Sequence, residues 1–162
     1  MKAIVFLFIS SLMMALASCS NDETTTGGFD PNDPAVIIWN GPSIPFEKTE
    51  GSDPALEENQ DRISDNVWLT RDNLGGQIYN AVSESGADKD SSPAGTEWAL
   101  GTTDNLESLN FAAFRQAVGE PKSIVGKDLV LRLTKENIFI DIRFTSWSQG
   151  MLGGFAYERS TP

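Results

Sequence analysis

Leu129-Val130-Leu131-Arg132-Leu133 and Ile138-Phe139-Ile140-Asp141-Ile142-Arg143-Phe144 decide the fold of this chain. In an extended strand, residues two apart share a face, so Leu129, Leu131 and Leu133 point one way. Ile138, Ile140, Ile142 and Phe144 do the same in the second run. Thr134 to Asn137, between the runs, fits a hairpin loop. Closing it sets Leu133 opposite Ile138 and Leu131 opposite Ile140, which puts both apolar sets on one face. A slip of one residue would turn one of those sets to water, so the register is pinned by burial. The opposite face then brings Arg132, Asp141 and Arg143 close together, with Trp147 continuing their alternation outward. Gly150 to Gly154 supplies the next turn, and Phe155-Ala156-Tyr157-Glu158-Arg159 returns as a third antiparallel strand.

The same reading extends upstream. Val67-Trp68-Leu69-Thr70-Arg71 and Gln77-Ile78-Tyr79-Asn80-Ala81-Val82 form a second hairpin, with Gly75 and Gly76 free to take positive φ at its turn. Ile44-Pro45-Phe46-Glu47-Lys48 and Glu97-Trp98-Ala99-Leu100 are shorter strands, and Pro45 places the first at an edge or a strand start. Between Leu106 and Val118, the spacing of Phe111, Phe114 and Val118 leaves a short helix or an irregular strand open. Many short strands with Gly, Asn and Asp turns predict an all-β chain, a single antiparallel, jelly-roll-like β-sandwich over residues 35–162.

Composition limits the chemistry. The chain has 162 residues, 23 acidic against 12 basic, and a net charge of −11. That argues against nucleic acid, or an anionic membrane surface, as a partner of a basic patch. There is no histidine and one cysteine. Ser-His-Asp and Cys-His catalysis, histidine metal sites and an intramolecular disulfide are all ruled out. The fold must hold by packing.

The cysteine ends Leu16-Ala17-Ser18-Cys19, after the positive Lys2 and the apolar run Ala3–Ala17. These four residues resemble a bacterial lipobox. The resemblance implies removal of residues 1–18 and acylation, palmitate included, of Cys19. Residues 19–34 are polar and Gly/Pro-containing with no hydrophobic period, and they read as a flexible tether. The expected address is the outer membrane, lipid-anchored, on its periplasmic or cell-surface face. The membrane partner is met through the lipid alone.

Gln60-Asp61-Arg62-Ile63-Ser64-Asp65-Asn66-Val67-Trp68-Leu69-Thr70-Arg71 is similar to a segment recurring in a family of secreted or lipid-anchored bacterial β-domain proteins. Gly95-Thr96-Glu97-Trp98-Ala99, Glu136 to Trp147 and Gly153 to Thr161 carry the same resemblance. It implies a shared fold and an extracytoplasmic setting, with no activity and no catalytic residue to transfer.

Three kinds of site remain. Glu97 and Asp141 are the carboxylates available to a glycosidase mechanism, which needs two of them across a cleft; a cross-strand pair of Asp141 with Arg132 or Arg143 is the competing role. Among the four tryptophans, Trp147 and Trp98, with Asp141 and Arg143 beside Trp147, are candidates for a sugar-stacking platform, while Trp39 and Trp68 look core-like. Loops at Asp61–Asn66, Asp88–Asp90 and Asp104–Asn105 offer oxygen ligands for calcium, though none has EF-hand spacing; no other cofactor is implied. The reading favoured is a non-catalytic binding or adhesion module with a glycan or protein ligand. An extracytoplasmic carboxylate glycoside hydrolase and a purely structural envelope lipoprotein are the alternatives.

Overall fold

The computed structural model describes residues 35–162. The signal segment, Cys19 and the tether lie outside the described residues. Nine strands follow in order: β1 (Ile37–Trp39), β2 (Ile44–Lys48), β3 (Asp61–Ser64), β4 (Val67–Asp72), β5 (Gly75–Asn80), β6 (Thr96–Leu100), β7 (Asp128–Leu133), β8 (Ile138–Trp147) and β9 (Phe155–Arg159). One α-helix, α1 (Phe114–Val118), and three short 3-10 turns interrupt them. The chain is an all-β, sandwich-like domain.

The large sheet runs β2-β9-β8-β7-β6 and the small one β3-β4-β5. Strands adjacent in sequence are mostly adjacent in the sheet, in two meanders rather than the alternating wiring of a jelly roll. The central hairpin has the register its sequence predicts, Leu133 opposite Ile138 and Leu131 opposite Ile140. Asn137 at its loop takes φ 52°, a left-handed conformation that Asn tolerates. Pro45 sits in β2, an edge strand, where a missing N–H costs least. One pairing was not anticipated: β1 lies parallel to the first half of β8, alongside Ile138–Ile140, while β9 takes the second half.

The main core fills the space between the sheets. Leu129, Leu131, Leu133, Ile140, Ile142 and Phe144 meet Ile63, Val67, Leu69 and Ile78 there. α1 plugs this layer with Phe114, whose ring stands edge-on to Trp98 at 5.0 Å. The far face of the hairpin is not wholly polar, as alternation alone suggested. Val130 and Phe139 are fully buried on it, beneath Leu106 of the turn Thr103–Ser108 and beside Val36, Leu109 and Phe111.

A buried ionic cluster ties the sheets together. Asp61 of β3 accepts from Tyr157 Oη at 2.6 Å and from Arg159 Nε at 2.6 Å through Oδ2, and from Arg159 Nη2 at 2.9 Å through Oδ1. Asp61 is therefore a strand residue committed to an ion pair, which removes it from the calcium-loop candidates. Deleting one member strands the other's charge in a low dielectric, typically at a cost of about 3–5 kcal/mol. Asp61→Ala is expected to lower unfolding stability by that amount in urea titration, far more than removal of the exposed partner in Arg143→Ala.

Both tyrosines of the chain, Tyr79 and Tyr157, are buried, and burial pushes each phenol above its ordinary value of 10.0. The nearby Asp61 adds to the shift at Tyr157, and Asp72 does so at Tyr79. A raised phenol keeps its proton in the folded state longer than in the unfolded one. Its contribution to stability is complete below pH 10 and drains away as pH rises beyond it. Ultraviolet titration is expected to show less tyrosinate in the folded protein near pH 10 than in the unfolded chain at the same pH. Equal tyrosinate in the two states would contradict this.

Candidate functional site

Trp147 leads to the site by an unexpected route. Simple alternation along β8 puts it outward with Asp141 and Arg143. Instead the ladder shifts between Phe144 and Ser146, so that Phe144 faces Tyr157, Ser146 faces Ala156 and Trp147 faces Phe155. The extra residue in this β-bulge reverses the parity. Trp147 turns to the core side, half-buried, with its ring 5.8 Å from Phe144 and 6.1 Å from Phe114. It is separated from Asp141 and Arg143, which stay on the opposite face.

Over the Trp147 ring lies a guanidinium. Val67 and Leu69 of β4 face the core, and Arg71, next in that alternation, enters the same layer at 3 % exposure. Its Cζ sits 4.1 Å from the indole centroid. Arg71 Nε donates to Gly76 O at 2.8 Å, and Nη1 donates to Ser148 O at 3.0 Å and Gly154 O at 2.7 Å. Three of five N–H donors are thus spent on backbone carbonyls. Among the described residues no acceptor meets the two N–H groups of Nη2, which is not sealed from solvent. No carboxylate pairs with Arg71 among the described residues. Burial alone pushes its pKa down to about 10, which leaves it cationic at neutral pH.

Glycine makes this docking possible. Gly75 (φ 99°), after the β4–β5 turn, approaches Gly150 so closely that a Cβ there would lie 2.6 Å from the Gly150 carbonyl oxygen. A Cβ on Gly153 (φ 67°) would overlap the Asp72 carbonyl. The β4–β5 turn and the β8–β9 loop are in backbone contact, and that contact carries the carbonyls to Arg71.

Beside them opens a cleft of about 340 Å³. Three chain segments line it: Arg71, Gly76 and Gln77; Trp147 to Gly150; and Arg115 of α1 with Glu120, Pro121 and Lys122. Arg115 is exposed and has neither ion pair nor hydrogen bond through its side chain among the described residues. Lys122 meets Glu120 at 3.1 Å, an exposed rim pair. Ser148 turns its hydroxyl to Glu50 Oε1 at 2.7 Å. Gln77 gives both amide hydrogens to Asp88 O and Ser91 O, at 2.6 and 2.8 Å, while its Oε1 is buried without a donor. Lys48, 1 % exposed, lies close enough to Arg71 that the guanidinium opposes its charge. Burial is the larger cause of the lowered Lys48 pKa, and Nζ keeps one acceptor, Ser52 O at 2.8 Å.

The other predicted site residues have different employment. Trp98 is fully buried and donates Nε1–H to Thr96 Oγ1 at 3.0 Å, so it has no face to offer a sugar. Trp39 and Trp68, expected in the core, are half-buried, and Arg62 covers Trp68 at 4.2 Å. Asp141 does not pair with Arg132 or Arg143. Its two oxygens accept from Thr103 N at 2.8 Å and Thr103 Oγ1 at 2.7 Å, anchoring the turn over the second core. Arg143 pairs with Asp128 at 2.6 Å, and Arg132 with Glu97 at 2.9 Å. Asp141 and Arg143 do share a shallow cleft of about 240 Å³ with Asp128 and Glu158. Among the described residues no three acidic side chains converge to hold a cation, Lys89 occupies Asp90, and no helix is long and apolar enough to cross a membrane.

Compared with known proteins, the chain matches no family model, no curated protein and no solved structure.

The geometry at Arg71 makes a demand that lysine cannot meet, because one ammonium cannot reach Gly76, Ser148 and Gly154 from beneath a planar stack. Arg71→Lys is expected to cost about 2–4 kcal/mol, from hydrogen bonds to a charged donor that are worth roughly 1.5–3 kcal/mol each. Chemical denaturation reads this, and a shift in Trp147 emission would accompany it.

Proposed function

We propose that this chain is a non-catalytic binding module of a lipid-anchored envelope protein, and that the Arg71–Trp147 cleft is where it holds its ligand. One observation supports this above the others. Of the chain's six arginines, Arg62, Arg132, Arg143 and Arg159 have carboxylate partners among the described residues. The two that have none, Arg71 and Arg115, line the same cleft. With acidic residues nearly twice as numerous as basic ones, leaving two arginines unpaired together is a feature that folding alone does not require.

The hydrolase reading draws less support. Glu97 is engaged by Arg132, and both oxygens of Asp141 are occupied by Thr103. Neither carboxylate is poised as a free acid or nucleophile. The envelope address rests on the lipobox-like Leu16–Cys19 and the tether that follows, in keeping with the resemblance to lipid-anchored β-domain proteins. Outer-membrane placement would hold the domain in the space where a glycan or an envelope protein is met.

Two measurements test the parts separately. In a Gram-negative host fed an alkyne-bearing fatty acid, the full chain is expected to take label and fractionate with outer membrane. Cys19→Ser is expected to lose both; labelling that persists in this variant would refute the anchor. For the ligand, intact envelopes cross-linked around the domain are expected to yield a reproducible partner, protein or glycan. Capture that is unchanged by Arg115→Glu would remove the cleft from the account.

A further inference from the structure

The chemistry of the cleft narrows its ligand, given the binding-module reading on which this inference rests. We infer that the cleft takes an acidic sugar of one or two hydroxylated rings, with one ring carboxylate on Arg71 Nη2 and Arg115. Nη2 is a fixed donor pair: three hydrogen bonds and an indole hold its guanidinium, so little side-chain entropy remains to be lost on binding. Because Nε and Nη1 are already used, Arg71 cannot grip a carboxylate with the two-point fork of a free arginine. It offers the two N–H groups of one nitrogen, and a second cation must complete the seat. Arg115, which lines the same cleft and has no ion pair among the described residues, is that cation, and Lys122 lines the cleft as well.

Charge around this seat favours an anion. The charged side chains lining the cleft are Arg71, Arg115 and Lys122 against Glu120. Buried Lys48 stands close to Arg71, with Asp72 and Asp53 near enough to offset part of its charge. A chain of net charge −11 reverses its sign locally here.

The rest of the lining distinguishes a sugar from a bare anion. Gln149 is an exposed carboxamide, which both gives and accepts hydrogen bonds and so suits hydroxyl groups. The indole of Trp147 and the ring of Pro121 supply apolar contact for C–H groups. Since Arg71 covers one face of the indole, the flat stacking platform expected from the sequence is replaced by a charged one. A volume of about 340 Å³ suits a unit of one or two sugar rings rather than a folded surface.

The test is calorimetric titration of the full chain with digalacturonate, its neutral counterpart digalactose, and a Glu-Glu dipeptide. Digalacturonate is expected to bind and the other two not to. Arg115→Glu is expected to weaken that binding by about tenfold or more, and Lys135→Glu, the same charge change on the remote β7–β8 loop, to leave it unaltered. Near-ultraviolet circular dichroism confirms that both variants fold. Equal affinity for the acidic and neutral sugars, or indifference to Arg115→Glu, would overturn the inference while leaving a binding module possible. Binding of the dipeptide as tight as that of digalacturonate would overturn the sugar and keep the anion seat. Absence of digalacturonate binding in a folded sample would overturn the inference outright, and a partner captured from envelopes would then show that the broader reading survives it.

Discussion

Everything in this fold leans on the carboxylate of Asp61. It is the one acidic group inside the sandwich that receives both a phenol and a guanidinium, and it crosses from the small sheet to the large one. Arg159 lies in line with Ile44 of β2 and Ile142 of β8, so its position fixes three strands of the large sheet at once. A hydrophobic replacement of the whole cluster could be equally stable, since desolvating a buried ion pair offsets much of its attraction. What the cluster adds is uniqueness. If β9 slipped by one residue, Arg159 would leave the interior and Asp61 and Tyr157 would lose their partners together. With one cysteine in the chain, no disulfide does that work instead.

Arg71 is the useful contrast. Two guanidiniums are buried in the same layer, one at 7 % exposure and the other at 3 %, and they are neutralised in opposite ways. Arg159 meets a full negative charge. Arg71 meets only the negative ends of three carbonyl dipoles and the quadrupole of an indole, each weaker than a carboxylate. Its positive charge is solvated by the protein but not cancelled, and its depressed pKa reflects that burial. Such an arrangement costs stability that the Asp61 cluster does not. It also leaves a pre-oriented cation at a cleft wall, where an anion arriving from outside supplies the missing charge.

How much of this was legible in the sequence depended on whether local periodicity was intact. The β7–β8 hairpin was readable to the residue because burial and loop length both specify one register. The same periodicity failed at Trp147, since a bulge is one extra residue and nothing in Thr145-Ser146 announces it. Trp98 could have been assigned to the core by parity, for it stands between Thr96 and Leu100 in a strand whose partner presents Leu131 opposite it. The cleft itself left one trace. Arg71 continues the inward series Val67, Leu69, and an arginine on a core face signals either a buried ion pair or a site. Arg115 and Lys122 gave no such sign, because only tertiary packing of α1 and the turn at Pro121 carries them to Arg71. Asp141 was misread for a different reason. Strand register placed its neighbours correctly but could not show that the Thr103 turn would cover the outer face and claim both its oxygens.

The acidity of the chain and the basicity of its cleft work together. At distances beyond roughly 8–10 Å the surface charge is largely screened under physiological salt, so an approaching solute feels mainly the patch nearest to it. A polyanion such as nucleic acid, or an anionic membrane, would have to press many charges against an acidic surface to reach one cationic recess, which charge repulsion opposes. A small acidic ligand of the kind proposed would encounter only the recess. The surrounding carboxylates would repel larger anions and so confine recognition to a charge and a size together. For the proposed acidic sugar, selection within the recess would pass to Gln149, Trp147 and Pro121, whose contacts a bare inorganic anion does not use. The unpaired arginine costs the fold stability, and the acidic exterior keeps its charge from being satisfied by the wrong partner.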